Sequence, residues 1–454
     1  MRLILDVSSA IRWLGPPVGI SRVAQELARY VRAERPDIVL AFYDPLIGFR
    51  ALRPQWADIV LDPLATIDPV RLARRGPGQE LRWWHAPRYP IMEALEHCRL
   101  TASSSRGAGI AAMLQSLLML GRVKAPFVDS TDHRVAVVHP SCALEDAPLA
   151  LGPGDTLVLI DTWNKKPDEI EIQKRQLHFR LAALCYDLIP LTHPEFYSEE
   201  DVRDFRWFWN RMFAVVDLLM VTSQCVRSDV LRYCRANAIP TPDSKVIQLG
   251  YDLPTSTDSN HLPHGLEPGR FALVVATIEP RKGHAMLLDI WQRLLAECIP
   301  QRRRFKLVFV GRPGWKVEEL MGRIERACEP GGMLLYFRDL SDAGLPPLYR
   351  EAAFCLLPSI SEGYGLPIIE AFSFGKAVLA SNGGALPELV DDLSPCLDPS
   401  DGEVWYQALR RWIEDPGQRQ VYEQRIRSSF SHPTWREASA RFFAAVEGID
   451  PEGR

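Results

Sequence analysis

Most of the signals that would settle a function at once are missing from this chain of 454 residues. Its nine cysteines include no C-x-x-C pair, so neither a zinc site nor a planned disulfide framework is expected, and the thiols read as reduced and cytoplasmic. Charge of one sign is not in excess. The 53 Lys and Arg against 57 Asp and Glu leave a net charge of −4, without the global basic field that holds nucleic acid. The longest apolar tract, GIAAMLQSLLML at 109–120, is broken by Gln115 and Ser116 and falls short of the ~20 residues that span a bilayer. It reads as a buried or half-buried helix, with an interfacial helix facing a lipid-linked substrate as the alternative. Two basic clusters, RLARR at 71–75 and PQRRRF at 300–305, read as solvated loops and leave a peripheral contact with anionic lipid open. The opening MRLILDVSS has one basic residue and an apolar run cut by Asp6, so it reads as a first strand and not as a signal peptide. No G-x-G-x-x-G follows a strand, which disfavours a nicotinamide dehydrogenase, and no G-x-S-x-G supports a hydrolase. There is also no internal repeat and no low-complexity segment.

What is present is a chain with 47% hydrophobic residues, long enough to bury large cores in two or three domains. The second half alternates apolar runs with amphipathic ones. FALVVAT (271–277), FKLVFVG (305–311), MLLYF (333–337), AFCLLPS (353–359) and AVLAS (377–381) read as strands, with helices such as HAMLLDIWQRLLAE and VEELMGRIERAC between them. Strands that are apolar throughout and separated by helices imply a parallel sheet covered on both faces. The first half repeats the theme less regularly: RLILDVS, IVLAFY (38–43), RVAVVHP (134–140), TLVLID (156–161), LAALCYD (181–187) and LLMVTS (218–223) read as strands, and SRVAQELARYVRAE as a helix. TSTDSNHLPHGLEPGR between Thr255 and Arg270 has no periodicity and reads as a linker. The expected division is an amino-terminal α/β domain over 1–254, a linker over 255–270, and a carboxy-terminal doubly wound domain over 271–432.

The stretch Glu362-Gly-Tyr-Gly-Leu-Pro-Ile-Ile-Glu370 puts its glycines where a strand ends and a helix begins, with Pro367 suited to a first helical residue and Gly375 to the helix end. In open parallel sheets ligands bind at the carboxyl ends of strands. A helix start there offers free backbone N–H groups and about half a positive charge, and Gly363 and Gly365 admit a ligand that a Cβ would exclude. The two carboxylates flank the helix start from different sides. Nothing in their spacing enforces the roughly 5–10 Å separation of a glycosidase pair, so they read as acceptors for sugar hydroxyls. The plainer alternative is a loop charge plus a helix-start Glu that suits the dipole. Arg281 and Lys282, in ATIEPRKGHAM, occupy the same position between a strand end and a helix. Two cations there oppose the helix dipole and so point to an anionic partner. Together the two loops describe a cradle for a diphosphate, with Arg able to fork onto phosphate oxygens and Lys acting as a mobile point charge.

These residues carry a resemblance. Glu362 to Glu370, with seven residues between the carboxylates, is similar to the signature of retaining GT-B glycosyltransferases of the large glycogen-synthase-like and mannosyltransferase-like family, glycosyltransferase family 4 (glycosyl transferases group 1). Thr277-Ile-Glu-Pro-Arg-Lys-Gly-His284, Gly383-Gly-Ala-Leu-Pro-Glu388, Gly19-Ile-Ser-Arg-Val and Tyr186-Asp-Leu-Ile-Pro190 extend the likeness. Ala276 replaces a glycine often found there, and Tyr186 stands where many relatives have His, so the resemblance carries no histidine to the acceptor step. The resemblance implies two Rossmann-like domains facing each other across a cleft, with 433–454 crossing back to the first. It implies that Arg281 and Lys282 contact the donor diphosphate, Glu362 the donor sugar, and backbone from Gly363 through Tyr364 and Gly365 to Leu366 the sugar and phosphate. Glu370 would hold the ribose, Leu340 would lie beside the base, Gly19 and Ile20 would face the diphosphate, and Asp187 would be an acceptor-side group.

The expected function is transfer of a hexose, with retention, from a nucleotide diphosphate sugar to a hydroxyl of a glycan or lipid-linked glycan. The texture of YDLIPLTHPEF leans towards GDP-mannose and bacterial surface polysaccharide. Charge neutralisation by Arg, Lys and the helix start requires no metal, and no cofactor is expected. A nucleotide-sugar epimerase would share the cradle but needs acid/base residues at the sugar, and a catalytically silent nucleotide-sugar-binding relative would bind donor without turnover.

Overall fold

The computed structural model describes residues 2–12, 19–44, 48–53, 147–161, 165–254, 262–329, 331–338, 340 and 344–449. The apolar tract at 109–120, the strand expected at 134–140 and the basic cluster at 71–75 lie outside them. The chain divides into two compact units, Met1–Leu181 and Ala182–Arg454.

In the first unit, β1 (Arg2–Asp6), β2 (Val39–Asp44), β3 (Gly48–Ala51) and β4 (Asp155–Leu159) run in the order β3-β2-β1-β4. β1 is parallel to both β2 and β4, with Ile4 opposite Val39 and Leu157, while β3 returns antiparallel at the edge. Helices α1 (Ser8–Arg12), α2 (Ile20–Glu34) and α3 (Pro167–Leu177) flank the strands. α2 buries Val23, Ala24, Leu27, Ala28 and Val31, the stripe that a helical period predicts. At the carboxyl ends of β1 and β4, the fully buried Lys165 ammonium sits 2.8 Å from Asp6 and also pairs with Asp161, tying positions more than 150 residues apart in sequence.

The second unit begins within β5 (Arg180–Cys185), continues through α4 (Ile189–Thr192), α5 (Glu199–Val215), β6 (Leu218–Val221) and α6 (Gln224–Ala236), and reaches β7 (Ser244–Val246). β5, β6 and β7 are parallel neighbours. Ser198 and Ser223 cap α5 and α6 with side-chain oxygens.

A six-stranded parallel sheet follows: β8 (Phe271–Val275), β9 (Lys306–Val310), β10 (Leu334–Phe337), β11 (Phe354–Leu357), β12 (Val378–Ser381) and β13 (Cys396–Leu397). Between the strands run α7 (His284–Ala296), α8 (Ile299–Arg303), α9 (Glu318–Ala327), α10 (Leu345–Glu351), α11 (Leu366–Ser373) and α12 (Leu386–Val390), and α13 (Gly402–Glu414), α14 (Gly417–Ser429) and α15 (Trp435–Glu447) close the chain. The order β10-β9-β8-β11-β12-β13 reverses direction between β8 and β11. That is the topological switch point at which open sheets bind ligands. The core is closed by Trp291, Phe309, Phe354 and Trp405, all almost fully buried.

Three edge strands, β3, β7 and β13, were not anticipated. They are only four, three and two residues long, too short to show a period. Part of the stretch read as a linker packs: Leu262 and Leu266 lie against the core, and Gly269 donates to Glu351 O at 2.8 Å. α15 opens with a Thr434–Glu437 capping box against the chain at 249–252. A Cβ on Gly250 would stand 2.4 Å from Trp435 Cα.

Candidate active site

The loops after β8 and β11 meet at the switch point. After β8 the chain makes a single 3₁₀ turn, Pro280–Lys282, and Gly283 reverses it at φ 73° into α7. A Cβ on Gly283 would strike Pro358 O at 2.4 Å, and Ile360 N–H donates to Arg281 O at 2.7 Å. The two loops are thus bound backbone to backbone. Arg281 Nη1 lies 3.0 Å from Glu362 Oε2 and donates to Ser361 O at 2.8 Å, while Lys282 Nζ reaches Glu362 Oε1 at 2.6 Å. Ser359 Oγ donates to the same oxygen at 2.7 Å.

All three charged side chains are 14% exposed or less, so their mutual field is weakly screened. Burial by itself would raise the Glu362 carboxyl, but the adjacent Lys282 and Arg281 overcome it and depress its pKa to about 2. For Arg281, burial works against the charged form, and Glu362 and Glu279 outweigh it, holding the guanidinium above its ordinary range. Asp187 is pushed up by burial, against the pull of Arg281.

Gly363 is the tightest point. A Cβ there would sit 2.0 Å from Tyr186 O and 2.7 Å from Asp187 Cβ, so only glycine lets this loop lie on the end of β5. Its carbonyl accepts hydrogen bonds from Thr222 Oγ1 at 2.9 Å and Ser223 Oγ at 3.1 Å. Tyr364 is buried, with its hydroxyl 3.3 Å from Leu249 O and 3.4 Å from the His432 ring. It is therefore engaged with protein on its ring side. Gly365, at φ 119°, is the N-cap of α11, which begins at Leu366. Pro367 is therefore the second helical residue, not the first, because the left-handed glycine has already turned the chain. Phe374 ends the helix, with Gly375 at φ 68° just beyond. Glu370 lies one turn into α11, 5% exposed, and accepts a 2.6 Å hydrogen bond from the Tyr349 hydroxyl. The Gly383–Gly384 turn presses on the Glu362 loop from the other side, with Ala385 N–H donating to Glu362 O at 2.8 Å.

The structure thus brings Arg281, Lys282, Glu362, Gly363 and Asp187 together, with Tyr364, Gly365, Leu366 and Glu370 continuing the same loop and helix. Leu340 lies in the loop after β10, against Gly344. Gly19 and Ile20 lie at the start of α2 in the first unit, Gly19 at φ 49° and Ile20 37% exposed. Sequence reasoning missed Ser359, Thr222, Ser223, Tyr349 and Glu279. The first three are serine and threonine hydroxyls at strand ends, for which only the position after an apolar run gives a signal.

Residues 258–429 match the family model described as Glycosyl transferases group 1. The chain is 28% identical over 272 residues to the O-antigen chain mannosyltransferase B of Escherichia coli, covering 59% of this chain and 70% of that one. It is 26% identical over 315 residues to the serotype-specific mannosyltransferase WbdA of Escherichia coli, covering 64% of this chain and 36% of that longer protein. The chain thus spans about a third of the length of that relative. In fold it is similar to HepE of Anabaena, solved in complex with UDP and glucose, with a TM-score of 0.58 over 98% of this chain and 99% of that one at 15% identity. Residues 258–429 belong to the glycosyl transferases group 1 family, and the chain that carries them has the α/β GT-B fold.

Proposed function

We propose that this protein is a retaining hexosyltransferase that moves mannose from GDP-mannose to a hydroxyl of a glycan or lipid-linked glycan, at the cytoplasmic face of a membrane during bacterial surface polysaccharide assembly. The observation that carries the reading is the convergence of Arg281 and Lys282 on Glu362 at the switch point, 3.0 Å and 2.6 Å away. The names of the similar E. coli proteins support mannose as the sugar.

The barrier to the reaction is charge separation, because the sugar becomes cationic as the diphosphate leaves. Arg281, Lys282 and the start of α11 would neutralise that leaving group, and fixed charges and dipoles of this kind are the strongest source of rate enhancement open to such a site, so the reading requires no metal. Glu362 would exchange its cation contacts for donor-sugar hydroxyls, and the Gly363–Leu366 backbone would lie along sugar and phosphate. Glu370, fixed by Tyr349, would take the ribose. Asp187 would stand on the acceptor side, where the sequence carries Tyr186 beside it rather than a histidine. The departing phosphate oxygen would then take the acceptor's proton. Among the described residues no helix is long and apolar enough to cross a membrane, so the reading places any lipid contact at the surface.

The test is incubation with GDP-mannose, UDP-glucose and UDP-N-acetylglucosamine and a panel of mannosyl acceptors, with proton NMR of the new anomeric centre. An axial mannosidic product from GDP-mannose supports the proposal, whereas an inverted product or turnover of a UDP sugar alone contradicts it. A changed sugar without acceptor would identify an epimerase, and binding without any product a silent relative.

A further inference from the structure

Arg281 has a second carboxylate partner. Glu279, two residues earlier, lies 3.2 Å from its Nε with a side chain 8% exposed, on the opposite edge of the guanidinium from Glu362. Neither Glu279 Oε2 nor Arg281 Nε makes a well-directed hydrogen bond, so charge rather than fork geometry holds this pair. Glu279 is pinned from behind: a Cβ on Gly314 would stand 2.8 Å from its Cγ, and Gly314 N–H donates to Ile278 O at 2.9 Å.

The head of the site therefore sets two cations, Arg281 and Lys282, against three carboxylates, Glu279, Glu362 and Asp187. A nucleoside diphosphate would add at least two more negative charges. Uncompensated charge in a site removed from water is costly, so one carboxylate must leave or be neutralised. Glu362 is a poor proton acceptor because both cations lie on it. Glu279 and Asp187 are already displaced upward by burial, and Glu279 is the one in direct contact with the guanidinium. The groups facing it are Arg281 and Lys282 from its own turn, Glu362 from the loop after β11, and Asp187 from the end of β5. Tyr197 lies across Arg281, and the loop after β9 that carries Gly314 also bears Arg312 and Lys316.

We propose that Glu279 is the counter-charge of the cradle, orienting Arg281 while no diphosphate is bound and taking up a proton when a nucleoside diphosphate engages the two cations. The inference rests on the reading of this site as a diphosphate cradle. It makes Glu279 a positioning residue whose loss would tighten product binding while slowing turnover, a split that a merely structural glutamate would not produce.

The experiment is calorimetric titration of the full chain with GDP between pH 5.5 and 7.5, in pairs of buffers with unlike ionisation enthalpies. Wild type should take up more protons on binding than Glu279→Gln, and the variant should bind GDP about tenfold more tightly, as removal of one facing charge in a weakly screened site implies. The nucleotide's own phosphate proton is common to both proteins and cancels in the comparison. Equal proton counts in the two proteins, or transfer of the effect to Asp187→Asn, would overturn the assignment. Should the Gln variant fail to fold, Glu279→Ala takes its place in the same comparison, and equal proton counts would overturn the assignment equally. No GDP or UDP binding to wild type at all would instead sink the cradle reading, and this inference with it.

Discussion

Replacing Gly363 by Ala should damage the protein far more than a one-carbon change usually does. The new Cβ would be built 2.0 Å from Tyr186 O, 2.7 Å from Asp187 Cβ and 2.9 Å from Tyr186 C. Two of those three atoms are backbone, so no flexible side chain can swing away, and the loop must retreat from β5 by about 1 Å. That retreat breaks the hydrogen bonds from Thr222 Oγ1 and Ser223 Oγ to the Gly363 carbonyl, at 2.9 and 3.1 Å. Two lost bonds at about 1 kcal/mol each, with overpacking of about 1–3 kcal/mol, give roughly 3–5 kcal/mol of lost stability. The neighbouring Glu362 moves with the loop, and misplacement on the order of 1 Å in a positioned site costs about 10²-fold in rate. Urea unfolding of Gly363→Ala gives the first number, and donor-dependent release of nucleoside diphosphate gives the second. Gly152→Ala is the control, because a Cβ there meets nothing within 4 Å. Wild-type stability and wild-type turnover in Gly363→Ala would refute the docking of this loop as the reason for its glycine.

Arg281→Ala should lower turnover by roughly 10²–10³-fold, the usual loss on removing one transition-state charge stabiliser; steady-state rates at saturating donor check it, and an unchanged rate contradicts the leaving-group role. Glu362 is depressed to about 2 from an ordinary 4.5, so its contribution to stability is fully present above the unfolded pKa and is lost as pH falls towards 2. A shift of this size is worth about 3 kcal/mol, and the stability gap between wild type and Glu362→Gln should shrink between pH 5 and pH 2 in denaturant titrations; a gap that does not change with pH would contradict the ion-pair account. Tyr349→Phe removes the 2.6 Å bond to buried Glu370 and should cost about 1–3 kcal/mol, with weaker nucleotide binding in calorimetry and a smaller effect on the rate at saturation; intact affinity would separate Glu370 from the ligand.

The fold was legible because the strands are buried on both faces. Runs such as FALVV and KLVFV become β8 and β9 with almost every residue buried, and an unbroken apolar run leaves little freedom in where a parallel strand lies. The loops of the site were legible for a different reason. Gly363, Gly365 and the Arg281-Lys282 pair break local preference without a local benefit, which marks positions held for close approach or charge. The remainder depends on contacts that no window of sequence contains. That Gly363 rests on Tyr186 O, or that Lys165 joins Asp6 to Asp161, follows only from packing of distant strand ends. Glu279 stands two residues from Arg281 in the sequence, but its direction towards the Nε edge is set by Gly314 on another loop. Pro367 misled by one position because the left-handed Gly365 takes over the cap.

The most direct test of the account is a calorimetric titration of GDP, UDP, ADP and dTDP into wild type and into Arg281→Ala and Glu370→Ala, with circular dichroism confirming that both variants are folded. The account predicts that one nucleotide, GDP before the others, binds wild type and is weakened at least tenfold in each variant, on the scale of losing one charge-assisted contact of about 1.4 kcal/mol or more. Binding of no nucleotide at millimolar concentration, or equal binding to all three proteins, would contradict the claim that these two loops form a nucleoside diphosphate cradle.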